Sequence, residues 1–241
     1  MLLIDADILL YKSAVSAEQE IDWGDDVWSL QTDLKDAKAA FDEQVQQITS
    51  ELDDDDLLFC LSDRSGNFRK QLDPTYKSNR KGTRKPVGYV ALYDWLRVTR
   101  RTFSKPLLEA DDCLGILATM PANRGKCVVV SDDKDLKTIP GDLYRPTANE
   151  KLAISEDAAD ANFLTQVLCG DPADGYRGCP KVGPKTAEKI LGSRPTWSVV
   201  EQAFINAGLS KDDALQQARL ARILRWSDWD EKKGEVILWT P

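Results

Sequence analysis

Histidine is absent from the 241 residues. That absence removes Ser-His and Cys-His nucleophilic mechanisms, an imidazole general base and every histidine metal ligand. The five cysteines form no CxxC pair, so neither a disulfide framework nor a zinc knuckle is indicated. Cys60 and Cys127 sit in apolar runs, as core thiols of a protein in a reducing cytosol do. Long hydrophobic runs are missing too. The opening stretch MLLIDADILLYK is broken by Asp5 and Asp7, too short and too charged for a signal peptide or a membrane span. The expectation is a cytoplasmic, monomeric protein with no membrane partner, whose chemistry rests on carboxylates, lysines and metal.

Net positive charge is also lacking. The formal charge of −8 ordinarily argues against nucleic acid, but the distribution matters more than the sum. From Arg64 to Lys85 there are eight basic residues against one acid, Asp73. Acids concentrate elsewhere, as in ELDDDDL at 51–57, which reads as a solvated loop entering a strand.

What is present reads as an α/β protein. Short apolar runs at 2–4, 57–61 and 126–130 have the character of buried parallel strands. Helical patterns over roughly 8–18, 33–51, 88–101 and 109–120 separate them, giving a mostly parallel sheet flanked by helices. From about residue 155 the patterns are mainly helical, near 155–168, 185–192, 196–207 and 211–225. A last run, EVILW (235–239), is expected to return to the sheet edge. The expected division is an α/β core over 1–150, with a basic segment at about 64–88, and a mainly helical part over 151–241.

Each predicted strand ends in acid. LLIDAD delivers Asp5 and Asp7, LLFCLSD delivers Asp63, and VVVSDDKD delivers Asp132, Asp133 and Asp135. Ligands of open α/β sheets bind beyond the carboxyl ends of the strands, so these acids converge on the expected crevice. LLEADDCLGILA adds Glu109, Asp111 and Asp112 at a helix start. Capping is the ordinary reading there, yet Glu109 and Asp112 stand at i and i+3, where one cation can reach both. GDPADG supplies Asp171 and Asp174 with the same spacing. A single Asp is an ordinary cap or turn residue. Seven or more at one edge repel, and need cations to be tolerable. All-oxygen ligation points to Mg²⁺ or Mn²⁺, two ions, in an arrangement suited to phosphoryl transfer. With nine such acids set aside, the charge of −8 becomes +1, and DNA is no longer excluded.

The segment DPTYKSNRKGTRKP (73–86) interleaves Tyr76 with Lys77, Arg80, Lys81, Arg84 and Lys85, as a phosphate-tracking strand with a base-stacking ring does. A solvated loop has the same composition. In GYRGCPKVGPKTAEKIL (175–191), Gly178 and Gly183 bracket a tight connection and Pro184 opens a helix with Lys185 and Thr186. Glycine admits a close phosphate, the helix start offers free N–H groups, and Lys181, Lys185 and Lys189 add charge.

Together, LLIDAD, LSD with RKQLDPTYKSNR, LEADD, SDDKD and GDPADGYRGCPKVGPKTAEKIL resemble the 5′-nuclease (flap endonuclease, PIN-like) superfamily over nearly the whole chain. DPTYKSNRKGTRKPVGY and the ending QARLARILRW…EVILWTP are similar to the 5′→3′ exonucleases of short-tailed T-odd coliphages, enzymes of replication and recombination in the host cytoplasm. The resemblance implies a PIN-like fold and metal-dependent cleavage of DNA from 5′ ends, with trimming of RNA in RNA–DNA hybrids. It implies one metal site from Asp5, Asp63, Glu109, Asp111 and Asp112, and a second from Asp133, Asp135, Asp171 and Asp174. Asp111 and Asp133 are then the catalytic acids, with Lys77 and Arg80 the catalytic cations at the base of a helical arch and Tyr76 stacking on a base. A helix–three-turn–helix over about 170–192 grips duplex DNA, with K⁺ on its carbonyls. Asp7 and Asp132 match nothing in that pattern and read as supporting or turn residues. The rival readings are a haloacid-dehalogenase-like Mg²⁺ phosphatase, with Asp5-x-Asp7 as nucleophile and acid, and a non-catalytic DNA-binding relative. Loss of site carboxylates marks the latter, and none is visibly lost.

Overall fold

A strand without a polar face must be covered on both sides, and β1 (Leu2–Asp5) is buried along its whole length. Leu2 and Ile4 enter one core with Leu9, Leu10, Phe41, Phe59, Leu92 and Leu96, while Leu3 enters another with Leu114, Leu117 and Val129. The computed structural model describes residues 1–80 and 82–241, so Lys81 lies outside the described residues.

β1 runs directly into α1 (Ala6–Ser16), with Asp5 as N-cap: the amide of Ile8 donates to its Oδ1 at 3.4 Å. A hairpin of β2 (Glu18–Asp22) and β3 (Trp28–Thr32) precedes α2 (Leu34–Leu52), whose N-cap is Asp33. β4 (Leu57–Cys60) follows, then the short α3 (Arg69–Leu72), a 3₁₀ turn at Ser78–Arg80, α4 (Tyr89–Thr99) and β5 (Thr102–Phe103). α5 (Ala110–Thr119) leads to β6 (Val128–Val130), a 3₁₀ turn at Lys134–Thr138, and the hairpin of β7 (Gly141–Arg145) and β8 (Glu150–Ile154). Four helices come next: α6 (Glu156–Cys169), α7 (Pro184–Leu191), α8 (Trp197–Asn206) and α9 (Lys211–Ala221). The strands β9 (Trp229–Asp230) and β10 (Glu235–Val236) end the chain's regular structure.

The main sheet has the order β5-β4-β1-β6-β7-β8, parallel except for β8. It is the mixed sheet with a parallel core expected from the apolar runs. α1, α2 and α4 cover one face and α5 the other. A third core, among α6 to α9, gathers Phe163, Leu168, Val200, Phe204 and Ala218 with Tyr76 and Tyr176.

The end of the chain departs from expectation. EVILW does not return to the sheet edge; β10 pairs antiparallel with β9 in a separate two-stranded sheet. One edge is already occupied by β8, an antiparallel strand with alternating exposure, and the other by β5. Among the described residues no helix is long and apolar enough to cross a membrane.

Candidate active site

The carboxyl ends of β1 and β6, the start of α5 and the turn after α6 surround a cleft of about 480 Å³. Asp5 reaches it as the last residue of β1, where Ser131 Oγ donates to its Oδ2 at 2.7 Å. Asp111 projects from the first turn of α5. Asp133 caps the 3₁₀ turn after β6 by accepting from the amide of Asp135 at 2.8 Å, so the cap and the site share one residue. Asp171 holds its turn by accepting from the amide of Ala173 at 2.7 Å. With Glu109, Asp135 and Asp174, these residues line the cleft.

Their charges are poorly tolerated. Burial, then Asp7 and Asp133, pushes the Asp5 carboxyl up to about 7. Burial raises Asp111 well above the carboxylate range, and Asp5, Asp133 and Glu109 add to the shift while Lys77 opposes it. Asp135 is pushed up to about 6 by burial, with Asp133, Asp171 and Asp174 adding repulsion. Glu109 is the exception. Burial works against its charge, but Lys77 and Arg69 outweigh it and hold the carboxyl at about 2.

The basic segment closes one side of the cleft. Lys77 Nζ donates to Glu109 and stands 3.5 Å from Asp174 Oδ2. Burial opposes the ammonium, yet those carboxylates hold its pKa above the usual value. Arg80 Nη2 donates to Asp174 Oδ1 at 2.7 Å and Nε to the carbonyl of Ala173 at 3.2 Å. The two cations thus reach one carboxylate, although a 3₁₀ turn, not a longer helix, sets their spacing. Tyr76 differs from expectation. It is 3% exposed, and its hydroxyl donates toward Glu109 at 3.0 Å and Asp174 at 2.9 Å. A ring buried by core packing offers no face to a base. Lys85 lines the cleft, while Arg84 turns away to Glu18, donating at 2.5 and 3.1 Å.

Two acids expected as metal ligands are committed elsewhere. Asp112 is fully buried and accepts from Arg69 Nη1 at 2.8 Å, from Arg69 Nη2 at 2.7 Å and from the amide of Leu224 at 3.1 Å. Glu109 and Asp112 do share a cation, as their spacing predicts, and the cation is Arg69. Asp63 lies beside the cleft without lining it, in a recess with Asp7, Ser62 and Lys85. Its partial burial is outweighed by the amides of Leu107 and Ser65, which hold its carboxyl below the usual range. Asp132 takes a turn role, accepting from Lys12 Nζ at 2.5 Å and from Thr147.

In the connection after α6, the two predicted glycines differ. Gly178 is buried against Gly170: a Cβ on it would stand 2.3 Å from the Gly170 nitrogen, so close backbone packing accounts for it. Gly183, the N-cap of α7, has open space around the same position. Lys181, Gly183, Lys185 and Thr186 are exposed.

Sequence reasoning overlooked Arg69, Lys134, Gln166 and Tyr176, all of which line the cleft. Asp7, read from the sequence as a supporting or turn residue, lines it too. Its Oδ1 is buried without a partner, and burial raises its carboxyl.

The donor set suits hard divalent cations: all oxygen, several carboxylates whose charge is opposed by burial and by each other. Among the described residues no three such side chains gather closely enough to hold a metal as they stand. Lys77 and Arg80 occupy two of them, and ligation requires Glu109 and Asp174 to turn from those cations.

Residues 1–158 match the family described as 5′-3′ exonuclease, N-terminal resolvase-like domain. The exonuclease of Escherichia phage T7 is 30% identical, with 100% of this chain and 93% of that protein covered. The exodeoxyribonuclease of Enterobacteria phage T3 is 29% identical with the same coverage. Among solved structures, the bacteriophage T5 D15 flap endonuclease in complex with DNA and metal ions shares the fold, with a TM-score of 0.68 at 15% identity, covering 92% of this chain and 88% of that one. The catalytic core of Rad2 with DNA substrate aligns at a TM-score of 0.51 and 12% identity, over 86% and 64% of the two chains.

Proposed function

The chain belongs to the 5′-3′ exonuclease family, and from that premise we propose that it hydrolyses DNA phosphodiesters from 5′ ends using divalent metal held in the carboxylate cleft. The supporting observation is the set of acids at Asp5, Asp111 and Asp135, whose charge burial and mutual repulsion oppose. Asp5, Glu109 and Asp111 on one side, and Asp133, Asp135, Asp171 and Asp174 on the other, would hold Mg²⁺ or Mn²⁺. Such ions, when bound, activate water and neutralise charge on the reacting phosphate.

The chain's own residues bind and position. Lys77 and Arg80 stand at the cleft with carboxylate partners. An entering phosphate offers them a second anion, and in turning to it they release Glu109 and Asp174 for ligation. Held close to the scissile phosphate, they also stabilise charge that grows there during hydrolysis. The start of α7, with Gly183 open and Lys181, Lys185 and Thr186 exposed, takes the backbone of the duplex. K⁺ on the carbonyls of that connection, and RNA strands of hybrids as further substrates, belong to the same reading. The phosphatase reading fails: GDPAD follows α6, not a strand, and the family is a nuclease family.

Incubation with 5′-labelled duplex, nicked and flap DNA tests the proposal. Cleavage from 5′ ends with Mg²⁺, lost with EDTA, is the expected result. Undiminished cleavage in EDTA, or attack from 3′ ends, overturns it.

A further inference from the structure

Five buried polar side-chain atoms lack a hydrogen-bond partner among the described residues. Two are the Nε atoms of Arg145 and Arg225, whose guanidinium groups are bonded through other nitrogens. The other three are Asp7 Oδ1, Gln166 Oε1 and Tyr176 Oη, and all three residues line the same cleft. Asp7 belongs with the carboxylates. Tyr176 does not, and no role described so far uses it.

We infer that Tyr176 is a further catalytic residue of this cleft, whose phenol donates a hydrogen bond to a non-bridging oxygen of the scissile phosphate. The inference rests on the nuclease reading and adds a residue to it. Tyr176 is 2% exposed, and its ring packs in the core among α6 to α9. A phenol is protonated at neutral pH and offers one donor. Burying that donor unpaired is unfavourable, and packing alone gives no reason to keep it, since phenylalanine would fill the same space.

Its position is fixed rather than adventitious. The amide of Asp171 donates to the carbonyl of Tyr176 at 2.9 Å, and the amide of Tyr176 returns to the carbonyl of Asp171 at 3.2 Å. The backbone carrying two cleft carboxylates therefore also sets the phenol. Tyr76 provides a contrast within the same cleft: its hydroxyl reaches both Glu109 and Asp174. The Tyr176 hydroxyl reaches neither a carboxylate nor a carbonyl. What it lacks is an acceptor, and the ligand of this cleft is an oxygen-rich phosphodiester. A donor on an oxygen that gains charge during hydrolysis lowers the barrier.

Tyr176→Phe removes the hydroxyl and leaves the ring. Three measurements compare it with the wild type: single-turnover cleavage of saturating 5′-labelled duplex with Mg²⁺, affinity for that duplex with Ca²⁺ in place of Mg²⁺, and thermal unfolding. The expected result is a rate lowered about 100-fold, the scale for losing one such donor. Affinity should stay within about threefold and the melting temperature should be equal or higher, because the lost hydroxyl had no partner. A rate within about threefold of wild type overturns the inference, as does a loss matched by affinity or accompanied by a lower melting temperature. A wild type that cuts no DNA overturns the nuclease reading and the assignment with it.

Discussion

Asp112 and Asp111 are adjacent in the chain and differently served by their surroundings. Asp112 is buried but accepts from both Nη atoms of Arg69 and from the amide of Leu224. Arg69 in turn donates to the carbonyls of Leu220 at 2.9 Å and Arg222 at 2.6 Å, fastening the end of α9 to the start of α5. Replacing Arg69 with Met leaves a buried carboxylate uncompensated, and unfolding in urea should show a loss of about 3–5 kcal/mol; a loss below 1 kcal/mol would mean that the pair is solvated. Asp111 faces burial and repulsion with little compensation. Asp111→Asn should raise the melting temperature of the metal-free protein while abolishing cleavage, and a lowered melting temperature would contradict the electrostatic account. A pH dependence follows from the same cluster. Asp5 in the folded protein titrates at about 7 and Asp135 at about 6, both above the unfolded value of 3.8. Folding therefore favours proton uptake, and its contribution is full below the unfolded value and disappears as pH rises through 6 to 7. Glu109, held at about 2, is ionised throughout that window. In EDTA, stability should fall between pH 5.5 and 8, and Mg²⁺ should restore more of it at pH 8. A flat profile in EDTA would refute this.

At the scale of elements, the connection from α6 to α7 shows two glycines with unlike duties. Gly178 has φ +64° and lies against Gly170, so a methyl group there meets both strain and backbone. Gly178→Ala should destabilise by about 2 kcal/mol or more. Gly183→Ala has room and an ordinary φ of −107°, so its melting temperature should hold while duplex affinity falls. Equal melting temperatures for the two variants would remove the distinction. Periodicity made the eight longer helices legible in the sequence, and apolar runs did the same for β1, β4 and β6, because the helices span several turns and these strands are apolar almost throughout. The hairpins β2–β3 and β7–β8 were hidden because their strands carry polar residues at exposed positions, which mimic loops. β5 and β9 are two residues long, too short for any period. The site was legible where chemistry is written in residue type, as with acids at strand ends. Arg69 was not, since its partners stand 43 residues away at Asp112 and 151 away at Leu220. Tyr76 and Tyr176 were illegible for another reason: an aromatic ring reads alike whether it stacks on a ligand or fills a core.

For the whole molecule, the decisive quantity is where the charge of −8 sits. The cleft acids face the position proposed for the scissile phosphate, and part of the basic segment is already spent on them through Lys77 and Arg80. Arg84 is likewise paired, with Glu18, whose carboxyl that arginine helps hold at about 2. Among the described residues of the basic segment, Lys77, Arg80 and Arg84 are therefore already paired in the metal-free protein, and a duplex approaching the cleft meets repulsion. Divalent metal reverses both conditions, since it cancels acid charge and competes for the carboxylates that occupy the cations. Duplex affinity measured by fluorescence anisotropy should accordingly rise at least tenfold from EDTA to Ca²⁺, a metal chosen to bind without supporting rapid turnover. The salt dependence should steepen at the same time, because each cation released to a phosphate displaces a counterion from the DNA. Arg84→Gln should affect affinity and its salt slope more than cleavage of saturating DNA, as its side chain points away from the cleft. If affinity in EDTA equals that in Ca²⁺ at the same ionic strength, the cleft acids do not govern access, and DNA binding resides wholly in surfaces such as the start of α7.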